Sequence, residues 1–498
     1  MQSCGGRWRT DSEASRGPSR RRHQHRHGGR HGRKRLFDRT RVAALVTPIE
    51  KVLIANRGEI AVRVIRACRE LGIQSVAVYS EADAHSLPVH LADEAICIGP
   101  ANARESYMNI PAIMSAALLS GAQAIHPGYG FLSENADFAE VCKDHGLVFI
   151  GPPPEVLRLF HDKAQTRVDM KRAGMPVIPG SDGPVRSVAE ALRIAEAIGY
   201  PVMLKAKAGG GGRGMRKAIS PSELQRLWAQ AASEARASFG DDGIYVERCL
   251  EGVRHVEAQI AVDESGRGIC LGERECSIQR RNQKMIEEAP SASISESLRQ
   301  DIAKLAVDAA VRSGYRNVGT FEFLVDAQNK TYFIEVNSRI QVEHTVTEMT
   351  TGMDLVKEQI ALASGELLSF SEEQIWVHGH AIECRINAED AEANFAPSTG
   401  VLTSWLPPAG PGIRFDSHCF QGYEVPPYYD SLLAKVIAWG RDRHEAVARM
   451  QRALDEFTIV GVTTNIPAHK KILASDLFRS GQVTTHLIDT VGVDALAG

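Results

Sequence analysis

Glu322, Glu335 and Asn337 lie in one stretch, Gly319–Glu348 (GTFEFLVDAQNKTYFIEVNSRIQVEHTVTE), that constrains the fold of everything around it. Phe321 to Asp326 and Thr331 to Val336 are rich in aromatic and β-branched residues, and residues 327–330 supply a reversal, so the stretch predicts a β-hairpin. With Asp326 opposite Thr331, Glu322 falls opposite Glu335. Alternation of side chains then puts Glu322, Leu324, Phe333, Glu335 and Asn337 on one face. Phe321, Phe323, Val325, Tyr332 and Ile334 take the other face, which reads as core. Two carboxylates directly across a hairpin have Cβ atoms about 5 Å apart and repel each other. A cation between them resolves the conflict, and hard oxygen donors from two Glu and one Asn suit Mg²⁺ or Mn²⁺ with phosphate oxygens completing the shell. If the chain stays extended, the same parity brings Arg339, Gln341 and Glu343 onto this face. The alternative is an amphipathic hairpin with a solvated polar face; against it, the charges oppose like with like instead of pairing.

The 498 residues span several domains. A composition that is 43% hydrophobic and 24% charged fits a soluble enzyme, and no apolar run is long enough to cross a bilayer. Nine cysteines are scattered without a C-x-x-C pair. That pattern argues against a disulfide scaffold or a zinc site and predicts reduced thiols in a cytosol-like compartment, the cytoplasm. Charge is divided unevenly: residues 1–47 hold thirteen Lys or Arg against three acids, and the remainder is acidic. The tail lacks periodicity and is expected to be disordered. It reads as a nucleic-acid-binding arm, an organellar transit peptide, or upstream sequence ahead of a true start near Val42 or Val46; the acidic body is not expected to bind nucleic acid.

Beyond the tail, VLIAN, a helix from Glu59 to Leu71 and SVAVYS form a βαβ unit of a parallel α/β layer without the dinucleotide fingerprint. AIHPGYGFLSEN (Ala124 to Asn135) reads as a strand-end loop carrying His126 and Tyr129 towards a cleft, or as a packed loop. GPPPE (Gly151 to Glu155) closes this first domain. After PVIPG and a helix from Ala189 to Ile198, a strand ends at Lys205 and runs into GGGGRGMR (Gly209 to Arg216). Such a run wraps backbone amides around phosphate oxygens; it departs from the P-loop spacing and reads as a mobile phosphate lid, with a flexible linker as the alternative. Gly243 to Val262 predicts strand, bend, strand, with His255 and Glu257 on one face. Arg280, Arg281 and Lys284 near Gln279 form a cationic cluster suited to an anion, or a solvated turn. Arg385 stands in the apolar strand AIECRI and needs an anionic partner. The C-terminal part reads as mixed α+β.

From about Glu50 to Val491 the chain resembles biotin carboxylase, an ATP-grasp enzyme, and within that family the separate subunit of bacterial acetyl-CoA carboxylase. The motifs that carry the resemblance are IANRGEIAVR, HPGYGFLSEN, KAxxGGGGRGMR, HVEAQ, QRRxQK, FEFL, FIEVNSRIQVEH, ECRINAED and PPYYDS. The resemblance implies an N-terminal parallel α/β domain (48–160), an ATP-grasp domain (161–378) with a glycine-rich lid (about 178–250), and a mixed α+β domain (379–493). It implies ATP held by Lys163, Lys205, Gly211, Gly212 and His255, with Gln279 and Asn282 nearby and Glu247, Arg248, Cys249 and Leu250 around the adenine. Glu322 and Glu335 would bind Mg²⁺ or Mn²⁺ with the nucleotide, and Asn337 would complete a second metal site. Lys284, Arg339, Gln341, Val342 and Arg385 would hold bicarbonate. Glu343 would be the general base, Arg385 would face the biotin ureido group, and Tyr129 would line the biotin side. The implied partners are a separate biotin carboxyl carrier protein, since the chain has no biotinylation motif, carboxyltransferase subunits, and a second copy of the chain. The resemblance leaves open a pyruvate or propionyl-CoA carboxylase component and a non-catalytic ATP-binding paralogue. Four places depart from the family pattern: Asn282 for His, Lys207-Ala208 for Ser-Gly, Glu275 for Asp and Thr345 for Pro.

Overall fold

The computed structural model describes residues 48–206, 215–239, 243–493 and 495. The basic tail lies outside the described residues, as do Lys207, Ala208, Gly211 and Gly212 of the glycine run.

The first layer is a five-stranded parallel sheet. Strands β1 (Lys51–Ile54), β2 (Gln74–Tyr79), β3 (Glu94–Cys97), β4 (Ala124–His126) and β5 (Val148–Phe149) take the order β3-β2-β1-β4-β5. Val52, Leu53 and Ile54 are all fully buried, as a parallel strand covered on both faces requires. Helix α1 (Gly58–Leu71) covers one face with Ile60, Ala61, Val64 and Ile65 and stops at left-handed Gly72. After β4 the backbone doubles over Asn56, which donates to the carbonyls of Pro127 and Tyr129 at 2.7 Å each. Gly128 is obligatory there: its φ is +61°, and a Cβ would come within 2.8 Å of the Asn56 amide.

The next unit is a three-stranded antiparallel sheet, β6 (Val202–Ala206), β7 (Met215–Ala218) and β8 (Ile244–Arg248), in the order β7-β6-β8. Helices α2 (Val188–Ile198) and α3 (Pro221–Phe239) back it. Its core is its own: Ala191, Ala195, Val202, Leu204, Leu224, Ile244 and Val246 form a cluster separate from those of the body.

The body is an eight-stranded antiparallel sheet. It comprises β9 (Arg254–Val262), β10 (Gly268–Arg280), β11 (Gln283–Ala289), β12 (Asn317–Val325), β13 (Thr331–Asn337), β14 (His380–Asn387), β15 (Ile413–Ser417) and β16 (Leu432–Gly440). The order is β13-β12-β9-β10-β11-β14-β16-β15. Helix α4 (Glu296–Arg312) packs against one face over Val256, Ala258, Ile260, Phe321 and Phe323. The opposite face of β9 and β12 is polar yet buried, with Glu257, Gln259, Thr320 and Glu322 all under 6% exposed. Helix α5 (His344–Thr351) covers the middle of the sheet, and helix α6 (Arg443–Glu456), capped by the Asp442 side chain on the Glu445 amide, packs on β16.

The predicted hairpin is present, with Glu322 opposite Glu335, but it arrives at that register by another route. At the turn, Val325 pairs with Thr331, Leu324 with Tyr332 and Phe323 with Phe333; the register then shifts before Glu322. Ile334 is the extra residue of this β-bulge. Phe333 therefore lies on the core face, 3% exposed, and Tyr332 on the polar face, the reverse of the assignment from simple alternation. The cause is aromatic packing: the Phe333 ring sits 6.3 and 6.2 Å from those of Phe321 and Phe323. The extended parity also ends early. The ladder stops at Asn337, and Glu343 is a turn residue at the start of α5 with φ −80° and ψ 8°.

Candidate active site

One row across the body sheet organises the site. Register places Glu335 beside Glu322, Glu322 beside Glu257, and Glu257 beside Arg274 on four successive strands. Three carboxylates in a row cannot stay ionised in a buried sheet without cations. Arg274, fully buried, supplies one: Nε donates to Glu257 Oε1 at 2.5 Å, Nη1 to Gln259 and Thr347, and Nη2 to Thr320 and Gln341.

Lys284 supplies the other. Its ammonium lies 2.5 Å from Glu257 Oε2, 3.0 Å from Glu322 Oε1 and 2.7 Å from Glu343 Oε1. Burial works against this charge, but the three carboxylates overrule it and hold the ammonium far above its ordinary range. Glu343 also takes Arg385 Nη2 at 2.9 Å. Burial alone would raise the Glu343 carboxyl, yet Lys284, Arg385 and Arg274 hold it well below the usual carboxylate range. Arg339 donates to Asn337 Oδ1 at 2.9 Å, and Gln341 donates to Glu322 Oε1 at 2.8 Å. The loop after Asn337 thus brings Arg339, Gln341 and Glu343 to the same place without being a strand. Lys435 accounts for the loop's position, donating to the Val342 carbonyl at 2.8 Å.

His255 sits at the edge of this row. Gln279 Nε2 donates to His255 Nδ1 at 2.7 Å, which leaves the proton on Nε2, 2.9 Å from Glu322 Oε2. Farther out, Lys163 pairs with Glu335, and Lys205 of β6 pairs with Glu247 of β8 at 2.5 Å. Cys249 is buried beside that strand end, while Arg248 is exposed and Leu250 half-buried. Asn282 is exposed at the tip of the β10–β11 hairpin, where Arg281 and Asn282 have φ of 49° and 63°. A two-residue turn of that kind favours Asn at a left-handed position, which accounts for Asn at this place in the chain.

The donor set fits a divalent cation. Glu322 and Glu335 oppose each other, and each is compensated by cations whose positions are set by side chains alone: Lys284 on one, Lys163 on the other. Asn337 lies one rung on, its Nδ2 donating to Glu322 Oε1 at 2.7 Å and its Oδ1 turned to Arg339, so its oxygen reaches an ion only by exchanging that bond.

On the far side, Tyr129 is half-buried and donates to Glu59 Oε1 at 2.5 Å. His126 does not face the cleft. It is fully buried, accepts the Gly128 N–H at 3.0 Å, and burial pushes its imidazole down to about 3. It holds the loop and does not line the site.

The sequence reading missed Arg274, Lys435, Glu287 and Glu383. A usable signal was present: LLAKVIA and AIECRI each set charge inside an apolar strand, and such a charge needs a buried partner.

Comparison with known proteins agrees along the whole described body. Residues 48–157 match the family described as biotin carboxylase, N-terminal domain; residues 162–371 match carbamoyl-phosphate synthase L chain, ATP binding domain; residues 383–490 match biotin carboxylase C-terminal domain. A biotin carboxylase of Nostoc sp. is 53% identical over 439 residues, 88% of this chain and 98% of the relative. A crystal structure of biotin carboxylase from Campylobacter jejuni superposes with a TM-score of 0.87 at 47% identity, covering 89% of this chain and 99% of the other. The biotin carboxylase domain dimer of Hydrogenobacter thermophilus 2-oxoglutarate carboxylase, in complex with MgADP, ADP and bicarbonate, gives 0.86 at 49% identity over 89% and 98%. With its opposed Glu322 and Glu335, its Lys284 cluster and this likeness over the whole length of its relatives, the chain belongs to the biotin carboxylase family.

Proposed function

We propose that the chain carboxylates biotin on a separate carrier protein, using ATP and bicarbonate, with carboxyphosphate as intermediate. The observation that carries this is Lys284 bridging Glu257, Glu322 and Glu343, with Arg385 on the second Glu343 oxygen. Lys284 and Arg385 are the two donors a small anion would take, and Glu343 between them is the carboxylate in place to remove that anion's proton.

Lys163, Lys205 and His255 would hold the nucleotide phosphates with the glycine run, and residues 247–250 would line the adenine. Divalent cations at Glu322, Glu335 and Asn337 would neutralise charge on the transferring phosphoryl group. Bicarbonate would take Lys284, Arg339, Arg385, the Gln341 amide and the Val342 backbone. In doing so it draws Lys284 and Arg385 from Glu343, so the carboxylate becomes a stronger base as its substrate arrives. Glu343 removes the bicarbonate proton, the freed oxygen forms a bond to the γ-phosphorus, and the bond to the β-phosphate oxygen breaks to leave ADP. Carboxyphosphate then gives CO₂ and phosphate. The phosphate takes the N1 proton of biotin, Arg385 stabilises the enolate beside Tyr129, and N1 bonds to CO₂.

The units are proposed as 48–160, 161–378 with a lid over about 178–250, and 379–493. The chain is assigned to an acetyl-CoA carboxylase, supplying malonyl-CoA for fatty acid synthesis as a homodimer with a biotin carrier and carboxyltransferase subunits. The cytoplasm is the proposed location: the eight described cysteines are unpaired, and among the described residues no helix is long and apolar enough to cross a membrane.

The test is ADP release with Mg²⁺, bicarbonate and biotin each omitted in turn. Release that needs bicarbonate, rises with biotin and collapses in Glu343→Gln supports the reading. ATP binding without biotin-stimulated turnover replaces it with a non-catalytic ATP-binding role.

A further inference from the structure

A second pair of opposed carboxyls lies between the strand that carries Lys284 and the strand that carries Arg385, and no step above uses it. Glu287 of β11 is directly opposite Glu383 of β14, and both are fully buried. Glu287 Oε1 accepts from Arg385 Nε at 2.6 Å, and Glu383 Oε2 accepts from the Thr345 hydroxyl. The other two oxygens, Glu287 Oε2 and Glu383 Oε1, are buried with no hydrogen-bond partner. Two charged carboxylates with Cβ atoms about 5 Å apart in a dry sheet repel strongly, and each unpartnered oxygen adds a desolvation cost. One proton relieves both problems: it makes one orphaned oxygen a donor and leaves the other to accept, as in dyads that share a proton.

The charged groups around the pair are accounted for. Lys284, on the same strand as Glu287, is held by Glu257, Glu322 and Glu343. Arg385 is divided between Glu287 and Glu343. Lys435 of β16 is held by Glu59 at 3.0 Å and by the Val342 carbonyl, with Asp416 of β15 farther along. These commitments leave Glu383 hydrogen-bonded to a hydroxyl, with Lys435 and Arg385 acting on it only through space.

We infer that Glu287 and Glu383 share a single proton in the working enzyme and act as positioning residues for Arg385, the singly charged pair holding its guanidinium where it reaches both Glu343 and substrate. The identity of that substrate rests on the reading above. Burial, against the pull of Arg385, pushes the Glu287 carboxyl up to about 7; burial, opposed by Lys435 and reinforced by Glu287, pushes Glu383 up to about 8. When the proton leaves at higher pH, the doubly charged pair draws Arg385 inward and away from Glu343. Biotin-dependent turnover then falls on the alkaline side. The Thr345 hydroxyl favours the charged form of Glu383, so this chain should lose its proton at lower pH than a relative with proline there. Thr345 is the second residue of α5, where a proline's missing N–H is tolerated.

The test has two readouts on the full chain. Infrared spectroscopy follows the carbonyl stretch of a buried protonated carboxyl with pH, and steady-state kinetics gives kcat for biotin-dependent ADP release with pH. The expected result is a wild-type band that titrates away between about pH 7 and 9, absent in Glu383→Gln. That variant should match wild type near pH 7 and lose the alkaline fall, while Glu287→Gln lowers kcat about ten- to a hundredfold across the range. Thr345→Val, of unchanged size, should move the band and the alkaline limb together to higher pH, and it serves if Glu383→Gln does not fold. A wild type without the band, or an alkaline limb unmoved in both Glu383→Gln and Thr345→Val, overturns the inference. Because the band needs no turnover, a titrating band in a chain without biotin-stimulated activity would sink the functional reading and leave the shared proton standing.

Discussion

The cations on the two sides of the site are built differently. Lys163 and Lys205, on the proposed nucleotide side, are each paired with one carboxylate among the described residues and keep 46% and 30% of their side chains exposed. Lys284 and Arg385, on the sheet floor, are 12% and 19% exposed, and each bridges two or more carboxylates. Partly exposed single pairs contribute little and exchange partners readily. A buried cluster keeps its geometry because removing any member leaves an uncompensated charge. In the proposed reaction the nucleotide side would therefore be assembled as its substrate arrives, whereas the floor, which would handle the proton and CO₂, is set in advance.

Four changes would break or sharpen that contrast. Glu343→Gln should lower bicarbonate-dependent ADP release by roughly 10²–10⁴-fold, with ATP binding retained by calorimetry; a loss under tenfold would remove Glu343 from its role. Arg274→Met should cost about 3–5 kcal/mol in urea unfolding, because it leaves Glu257 buried with only Lys284. A cost below about 1 kcal/mol would mean the floor is not preorganised by its charges. Lys205→Met should weaken ATP about tenfold, by the loss of one charge-assisted contact, while the melting temperature barely moves. Were Lys205→Met to unfold the protein instead, the nucleotide side would be as rigid as the floor. The smallest effect concerns pH. Glu287 and Glu383 have folded values raised above the ordinary range, so their contribution to stability is complete in acid and is lost as pH rises through about 7 and 8. Thermal melts of wild type against Glu383→Gln between about pH 6 and 9 should show a shallower slope in the variant.

What could be read from sequence followed from local pattern. The opposition of Glu322 and Glu335, the parallel first layer and the strand-bend-strand around His255 all rest on alternation or apolar runs within one segment. The bulge at Ile334 was hidden, because strict alternation does not reveal that Phe333 packs on Phe321 and Phe323, whose core is completed by Phe160 from a distant segment. Arg274 was hidden for a similar reason: its partners belong to β9, β12, the loop at Gln341 and α5, and no single motif contains them. Glu343 was placed correctly among its neighbours on a wrong premise, since Arg339, Gln341 and Glu343 converge through a loop held by Lys435 and not through an extended strand.

The bulge at Ile334 also separates the hairpin's two ends. Between the turn at residues 326–330 and the carboxylates, Phe323 and Phe333 lock into the core, and the odd residue is absorbed beyond them. A change in loop length at Asp326 to Lys330 is stopped at that aromatic lock before it alters the spacing of Glu322, Glu335 and Asn337. The tip of this hairpin is thus a place where the gene can gain or lose codons, or an engineer can insert a tag, without retuning the chemistry a few residues away.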